Sequence, residues 1–345
     1  MKFMMFAVCF MLTLALNAAG PRAEDMALYN ARKKGALICE CLRVVDQDGV
    51  PVADAKIWGG LQAGDGLNDN TPVRGMTDTN GEYVVQGKVT RIFHCEISKS
   101  GYYTSMRDFI YGDDNSDGAV KDGRWQPYGN ERTIVIRKII CPNVTGRRYI
   151  EQGIPAFGKW LDYDLEVADW TEPNGIGKMS DVRIRFTARD EGTLDFGYKM
   201  ELSFEHVQFA GAYTRKKEMF SEMRCDYNAK TNDVAYSSKI VFEVDRSGRT
   251  IRKWNLLDKD SYMVFRVRTR VDEYGRLVAA HYGRIDGEWR FYERQGMTLP
   301  GIYFNSEEND TNLEDEYTAK ESMRKILDRD ASPYQKKRKK FRPFR

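Results

Sequence analysis

Three histidines, at positions 94, 206 and 281, are all that this 345-residue chain offers for imidazole chemistry. None begins an H-x-x-E or H-E-x-x-H pair, the spacings that bring zinc ligands and a water-activating carboxylate together. The sequence therefore does not predict a zinc peptidase. It has no G-x-S-x-G elbow to present a serine for acyl transfer and no Walker-type loop to cradle a phosphate. No residue is marked as catalytic, although a triad gathered from distant strands is invisible to such a search. His94 and His206 fall inside strand patterns and His281 in a hairpin strand, positions that suit structural histidines.

Carboxylates offer two further chemistries. Asp162, Asp164 and Asp169 lie near Trp160 and Trp170, and a glycosidase needs two carboxyls roughly 5 to 9 Å apart around a sugar-stacking ring. With 51 acidic residues in the chain, such neighbours also arise by chance. In DDNSDG, Asp113, Asn115, Asp117 and Gly118 take the first, third, fifth and sixth places of a calcium loop. Arg124 stands at the twelfth place, where an EF-hand needs a bidentate glutamate. The expectation is a weaker calcium site with Asp122 as an extra ligand, set against an ordinary exposed loop. Calcium is the one cofactor suggested.

The chain opens MKFMMFAVCFMLTLALNAAG, with Lys2, an uncharged apolar run of 14 residues from Phe3 to Leu16, and small residues at Ala18 and Ala19. That is the pattern of a signal peptide, and the run is shorter than the roughly 20 residues that span a bilayer. Residues 1–19 are expected to direct export, to the periplasm or beyond, and a retained anchor is the alternative. No transmembrane span is expected in the mature chain. The last ten residues, KKRKKFRPFR, hold seven cations: Lys336, Lys337, Arg338, Lys339, Lys340, Arg342 and Arg345. Subtracting them from the net charge of +3 leaves −4. Such clusters release counterions from nucleic acid, but export argues against that partner. An envelope glycan, a lipid headgroup or another envelope protein fits better, and a merely solubilising tail is the alternative.

At 41% hydrophobic and 30% charged residues, the composition is that of a globular protein and excludes a disordered or fibrous one. About 325 residues remain past the leader, which at roughly 100 to 200 per domain suggests two domains. Five cysteines lie beyond it, Cys39, Cys41, Cys95, Cys141 and Cys225. In ALICECLRVV, Cys39 and Cys41 share a strand face, so either would pair with Cys95 or Cys141 before pairing with the other. One or two disulfides and buried thiols are equal expectations.

From Ala36 the pattern is one of short strands and turns. Asp48-Gly49 and Asn80-Gly81 separate alternating apolar runs, because glycine takes positive φ cheaply. Thr77 and Asp78 are expected to bond turn amides, and Tyr83 to return its ring to the core. The series VVDQDGVPVADAKIWGG, GMTDTNGEYVVQG and IFHCEISKSGYYT, carrying Asp46, Gly49, Pro51, Val52, Ala55, Ile57, Thr77, Asp78, Gly81, Tyr83, Lys99, Gly101 and Tyr102, resembles the carboxypeptidase regulatory-like, transthyretin-like β-sandwich. The resemblance covers residues 36–142. It implies a seven-stranded Greek-key prealbumin-like fold used as a scaffold, and a fold does not confer an activity. The whole chain is similar to exported bacterial proteins that join this module to a second β-rich region.

After residues 20–35, an N-terminal segment, and the module, residues 143–180 read as a junction, and 181–317 as a second antiparallel β domain with one wet face. There Arg266, Arg268 and Arg270 are expected on a solvated face. Residues 318–330 read as a short amphipathic helix with a capping box at Thr318 and Glu321 and a stripe of Met323, Ile326 and Leu327. Residues 331–345 form the basic tail. The class is all-β. The expected function is a non-enzymatic envelope binding or structural protein; the alternatives are a carbohydrate-active or other hydrolase with its site in the second domain, and calcium-assisted adhesion.

Overall fold

The computed structural model describes residues 23–64, 70–112, 119–190, 195–218, 220–254, 259–287, 289–292 and 296–330. The leader, the loop bearing Asp113, Asn115 and Asp117, and the basic tail with Lys336, Lys337, Arg338, Lys339, Lys340, Arg342 and Arg345 lie outside them. The described chain is mostly β, and it splits into two compact units between Lys138 and Ile139. Among the described residues no helix is long and apolar enough to cross a membrane.

In the first unit, helix α1 (Ala23–Lys34) carries Glu24 and Asp25 in its first turn and Arg32, Lys33 and Lys34 in its last, the charge order its dipole favours. Then come β1 (Ala36–Val45), β2 (Lys56–Gln62), β3 (Asn70–Met76), β4 (Glu82–Val89), β5 (Ile92–Ser98), β6 (Ser105–Ile110), β7 (Val120–Lys121), β8 (Arg124–Trp125) and β9 (Asn130–Val135). One sheet runs β4-β1-β8-β7 with β9 also on β1, and the other β3-β2-β5-β6. They share a core that includes Leu42, Val44, Ile57, Phe93, Ile97 and Trp125, each such side chain stabilising the fold by roughly 1.5–3 kcal/mol. Phe93 stacks on Phe109 at 5.4 Å.

Buried polar groups accompany that core, Glu40 the most deeply placed of its carboxylates. Glu40, on the inward face of β1, is 1% exposed and accepts hydrogen bonds from the Tyr111 hydroxyl at 2.8 Å and Arg132 Nε at 3.1 Å. Cys39 and Cys41 flank it on the opposite face. Cys95 is buried within the core, and the five described cysteines are free thiols. The disulfide expectation fails because strand alternation points Cys39 and Cys41 away from the interior that holds Cys95.

The turns obey a single rule. In Asp46-x-x-Gly49 and Asp78-x-x-Gly81, the aspartate Oδ1 accepts the amides two and four residues on, at 2.8 to 2.9 Å, and the glycines take φ +80 and +76. Thr77 Oγ1 accepts the Ala55 amide at 2.9 Å and donates to Val52 O at 2.6 Å. Tyr83 packs against the core and donates to Arg74 O at 3.0 Å. The Asn80-Gly81 turn makes no hairpin: β3 pairs with β2 and β4 with β1, so these residues carry the chain from one sheet of the sandwich to the other. In the second unit, Asp272-x-x-Gly275 repeats the geometry, with Asp272 Oδ1 taking the Tyr274 and Arg276 amides at 2.9 Å.

The second unit contains β10 (Thr145–Gln152), β11 (Trp160–Asp164), β12 (Asp169–Trp170), β13 (Val182–Asp190), β14 (Asp195–Ser203), β15 (Gly211–Lys216), β16 (Lys239–Ser247), β17 (Thr250–Trp254), β18 (Ser261–Val271), β19 (Leu277–Asp286), β20 (Arg290–Tyr292), β21 (Gly296–Phe304) and helix α2 (Glu316–Asp330). One sheet runs β10-β21-β19-β18-β15 with β20 on β21; the other runs β12-β11-β13-β14-β16-β17. Their shared core includes Tyr163, Trp170, Phe186, Phe242, Phe265 and Trp289. Residues 143–180, expected as a junction, therefore hold three strands. In β10 only Ile150 is buried, so no period-two pattern announced it.

Two further expectations change. Arg266 is 1% exposed, donating to Phe209 O at 2.9 Å, pairing with Asp233 at 2.7 Å and lying 4.2 Å over the Tyr236 ring. Arg268 is mostly buried as well, and only Arg270, paired with Glu308, sits on a wet face. Loops cover the face that alternation assigned to water. Helix α2 begins two residues early, because Asp315 caps it by accepting the Thr318 amide at 2.8 Å. Its buried face carries Ala319, Ser322 and Ile326, while Met323 is exposed.

Candidate functional site

In the second unit a cavity of about 300 Å³ opens where β10, β20 and β21 approach the ends of β15, β18 and β19. Pro300 starts its construction. It has no N–H to give the ladder, and the β10–β21 register steps from Arg148↔Gly301 to Ile150↔Leu299 over Tyr149 and Pro300. Tyr149 there takes φ +54, a left-handed conformation that is strained for a bulky residue. The residue is 94% exposed beside the cavity.

The remaining walls bring charge. Arg290 pairs with Thr298 across β20 and β21. Lys217 follows β15; its amide donates to Asp260 O at 2.8 Å and its ammonium to Lys259 O at 2.9 Å. Gly287, at φ +69, closes β19, and a Cβ there would lie 3.0 Å from Pro300 Cγ and 3.4 Å from Lys217 Nζ. Bare backbone at 287 is what lets the lysine and the proline ring meet on one wall. Leu299 and Pro300 add apolar surface.

Lys217, Lys259 and Arg290 thus face one cavity, and no carboxylate stands among its described lining residues. Burial pulls the Lys217 pKa below the ordinary lysine value; Asp286 opposes the shift, while Arg224 and Arg284 add to it. A half-buried ammonium with donors to spare favours an anion beside it. The arrangement is one for binding and orienting. Sequence reasoning did not find it, because its residues come from six separate stretches with no motif among them; Pro300 inside a strand pattern was the only local sign.

The residues that sequence reasoning did single out are placed otherwise. Asp164, 1% exposed, accepts amides from Glu166, Val167, Lys178 and Met179 at 2.9 to 3.1 Å. Burial alone would raise its pKa, but those amides and Arg268 hold it below the usual carboxylate range. Asp169 accepts the Trp170 and Ile176 amides, and Trp170 is in the core. Both carboxylates organise the loop between β11 and β13.

Asp162 meets Ser180, and Ser180 in turn meets His206, the three residue types of a hydrolase triad in the wrong order. Ser180 Oγ donates to Asp162 at 2.5 Å, and His206 Nε2 lies 2.8 Å from Ser180 O. A carbonyl only accepts, so Nε2 carries the hydrogen and cannot take the serine's proton, 3.4 Å away. His94 contacts Asp108 on exposed strands, and His281 stacks near Phe304 at 5.7 Å. Asp122 sits at the tip of the β7–β8 hairpin with φ +52; its expected companions lie outside the described residues. Among the described residues no His, Cys, Asp or Glu cluster could hold a metal.

No family model and no curated protein matches the chain. Among solved structures it is similar to a 3-chlorocatechol 1,2-dioxygenase from Rhodococcus opacus 1CP, at 18% identity over 31% of this chain and 62% of that one, TM-score 0.25. A DUF3823 family protein from Parabacteroides merdae ATCC 43184 is 9% identical over 79% and 100%, TM-score 0.19. A streptococcal ancillary pilin is 9% identical over 81% and 62%, TM-score 0.20. The chain thus spans about three fifths of the dioxygenase and of the pilin. Scores this low leave the functional reading to the residues themselves.

Proposed function

We propose that this chain is an exported, non-enzymatic binding protein of the bacterial envelope. Its first unit is a carboxypeptidase regulatory-like sandwich acting as scaffold, and its second unit holds an envelope glycan in the cavity beside Tyr149. The cavity carries the reading: its polar groups are cations and hydroxyls that can hold and orient a ligand, next to an aromatic ring in a strained backbone. The leader pattern supports export, and the basic tail supplies a second, salt-sensitive contact with anionic surfaces.

Sedimentation of the mature protein with isolated envelope and purified envelope glycans, across a salt series, tests it. Binding that survives salt and loss of residues 336–345 is the expected outcome. Binding lost with the tail would reduce the protein to an electrostatic anchor. Turnover of a glycan, abolished by Asp162→Asn, would replace the reading with a hydrolase.

A further inference from the structure

Resting on that reading, we infer that the cavity takes a sugar acid. The carboxylate of one pyranose residue meets Lys217, Lys259 and Arg290, while an apolar ring face lies against Tyr149, Leu299 and Pro300. The cations come first. Lys217 has one of its three donors engaged by Lys259 O, leaving donors for a ligand, and the Arg290 guanidinium, itself engaged within the chain, adds positive charge to the same wall.

The rest of the lining decides between anions. A bare phosphate would use the cations and leave the Tyr149 ring, Leu299 and Pro300 facing water. A pyranose has C–H faces that cover such surface, as amphipathic aromatics at binding sites do. Tyr149 adds an independent reason: at φ +54 and 94% exposed, it bears backbone strain and gains little packing within the chain. Strained, exposed aromatics of this kind persist where a ligand repays them. A volume of about 300 Å³, at the small end for ligand pockets, suits a single terminal sugar residue.

The test titrates the full chain by calorimetry with a disaccharide ending in glucuronate, its glucose-ended counterpart, and inorganic phosphate. The glucuronide is expected to bind at least ~10-fold tighter than the glucoside, with a preference that shrinks as salt rises. Lys217→Gln combined with Lys259→Gln removes the preference, and Tyr149→Ala weakens the glucuronide several-fold while keeping it. If Lys217→Gln disturbs the melting curve, Lys259→Gln alone, at an exposed side chain, still has to lower the preference.

Equal affinity for the two disaccharides overturns the inference and leaves the binding-protein reading standing. Phosphate binding as tightly as the glucuronide also overturns it, since the ring would then contribute nothing. Failure of all three ligands overturns it too, and envelope sedimentation then decides the broader reading by itself.

Discussion

The two units use the same turn and differ in how they keep charge inside. Asp46, Asp78 and Asp272 each cradle two amides ahead of a glycine, in the first unit twice and in the second once. In the interior, the first unit buries mainly carboxylates, Glu40, Asp46 and Glu96, beside a single arginine, Arg137, and shields Glu40 with Tyr111 and Arg132. The second unit buries carboxylates too, Asp164, Asp181 and Asp315 among them, but hides arginines with them: Arg266, Arg284 and most of Arg268. Arg284, 4% exposed, pairs with Asp315 at 2.6 Å and lies 3.9 Å over Tyr303. A guanidinium can be buried where carbonyls, carboxylates and rings converge on all five of its donors, and long loops supply those partners. Local turn chemistry is therefore a poor guide to the core built above it.

Arg268 should mark the difference most strongly. It bridges Asp164, Glu166 and Asp181 from a bulged strand position at φ +51 and lies 4.6 Å over Phe304. Arg268→Ala leaves two carboxylates buried without their cation, and is expected to cost about 3–5 kcal/mol. Arg268→Lys should recover little of this, because a point charge cannot span three acids. Hydrogen exchange read separately on peptides from 36–138 and 139–330 should show the loss in the second set. Equal loss in both sets, or none, would mean the cluster is not what holds that unit. Glu40→Gln, its counterpart, removes one charge-assisted bond to Arg132 and should cost about 1–3 kcal/mol, seen in the first set.

The same cluster predicts opposite pH slopes for two adjacent acids. Asp164 titrates below the ordinary range once folded, so its stabilisation is present above the unfolded pKa and vanishes as pH falls through the folded one. Asp164→Asn should therefore be most costly near neutrality and least costly in acid. Asp181 is pushed up by burial, with Arg268 opposing, so its contribution falls as pH rises from the unfolded pKa through the folded one and levels off above it. Asp181→Asn should accordingly become less harmful from about pH 4 to 7. Urea titrations of both variants across that range check the signs; parallel slopes would refute the assignment.

How much of this the sequence discloses depends on the range over which each feature is determined. The Asp-x-x-Gly turns, the strands around them and the all-β class are set within a few residues, so Asp78 and Gly81 could be read directly. The buried arginines could not. Alternation in YMVFRVRTRV puts Arg266 and Arg268 on one face and says nothing about Phe209 or Asp181 arriving to cover it. Tyr149 and Lys217 are further still from sequence reading, since one depends on a proline 151 positions later and the other on the turn at Lys259.

The smallest expected effect separates turn from surroundings. Gly81 and Gly275 hold the same place in the same motif, at φ +76 and +74. An alanine at 275 would have nothing within 4 Å of its Cβ, whereas at 81 it would lie 2.4 Å from Val44 O. Both substitutions bear the left-handed penalty of roughly 1–2 kcal/mol. Gly81→Ala must also push strand β1 aside, adding at least about 1 kcal/mol. Equal losses in urea unfolding would show that the turn's own geometry sets the whole cost; a clear excess at 81 would show that the sandwich packed against it sets the remainder.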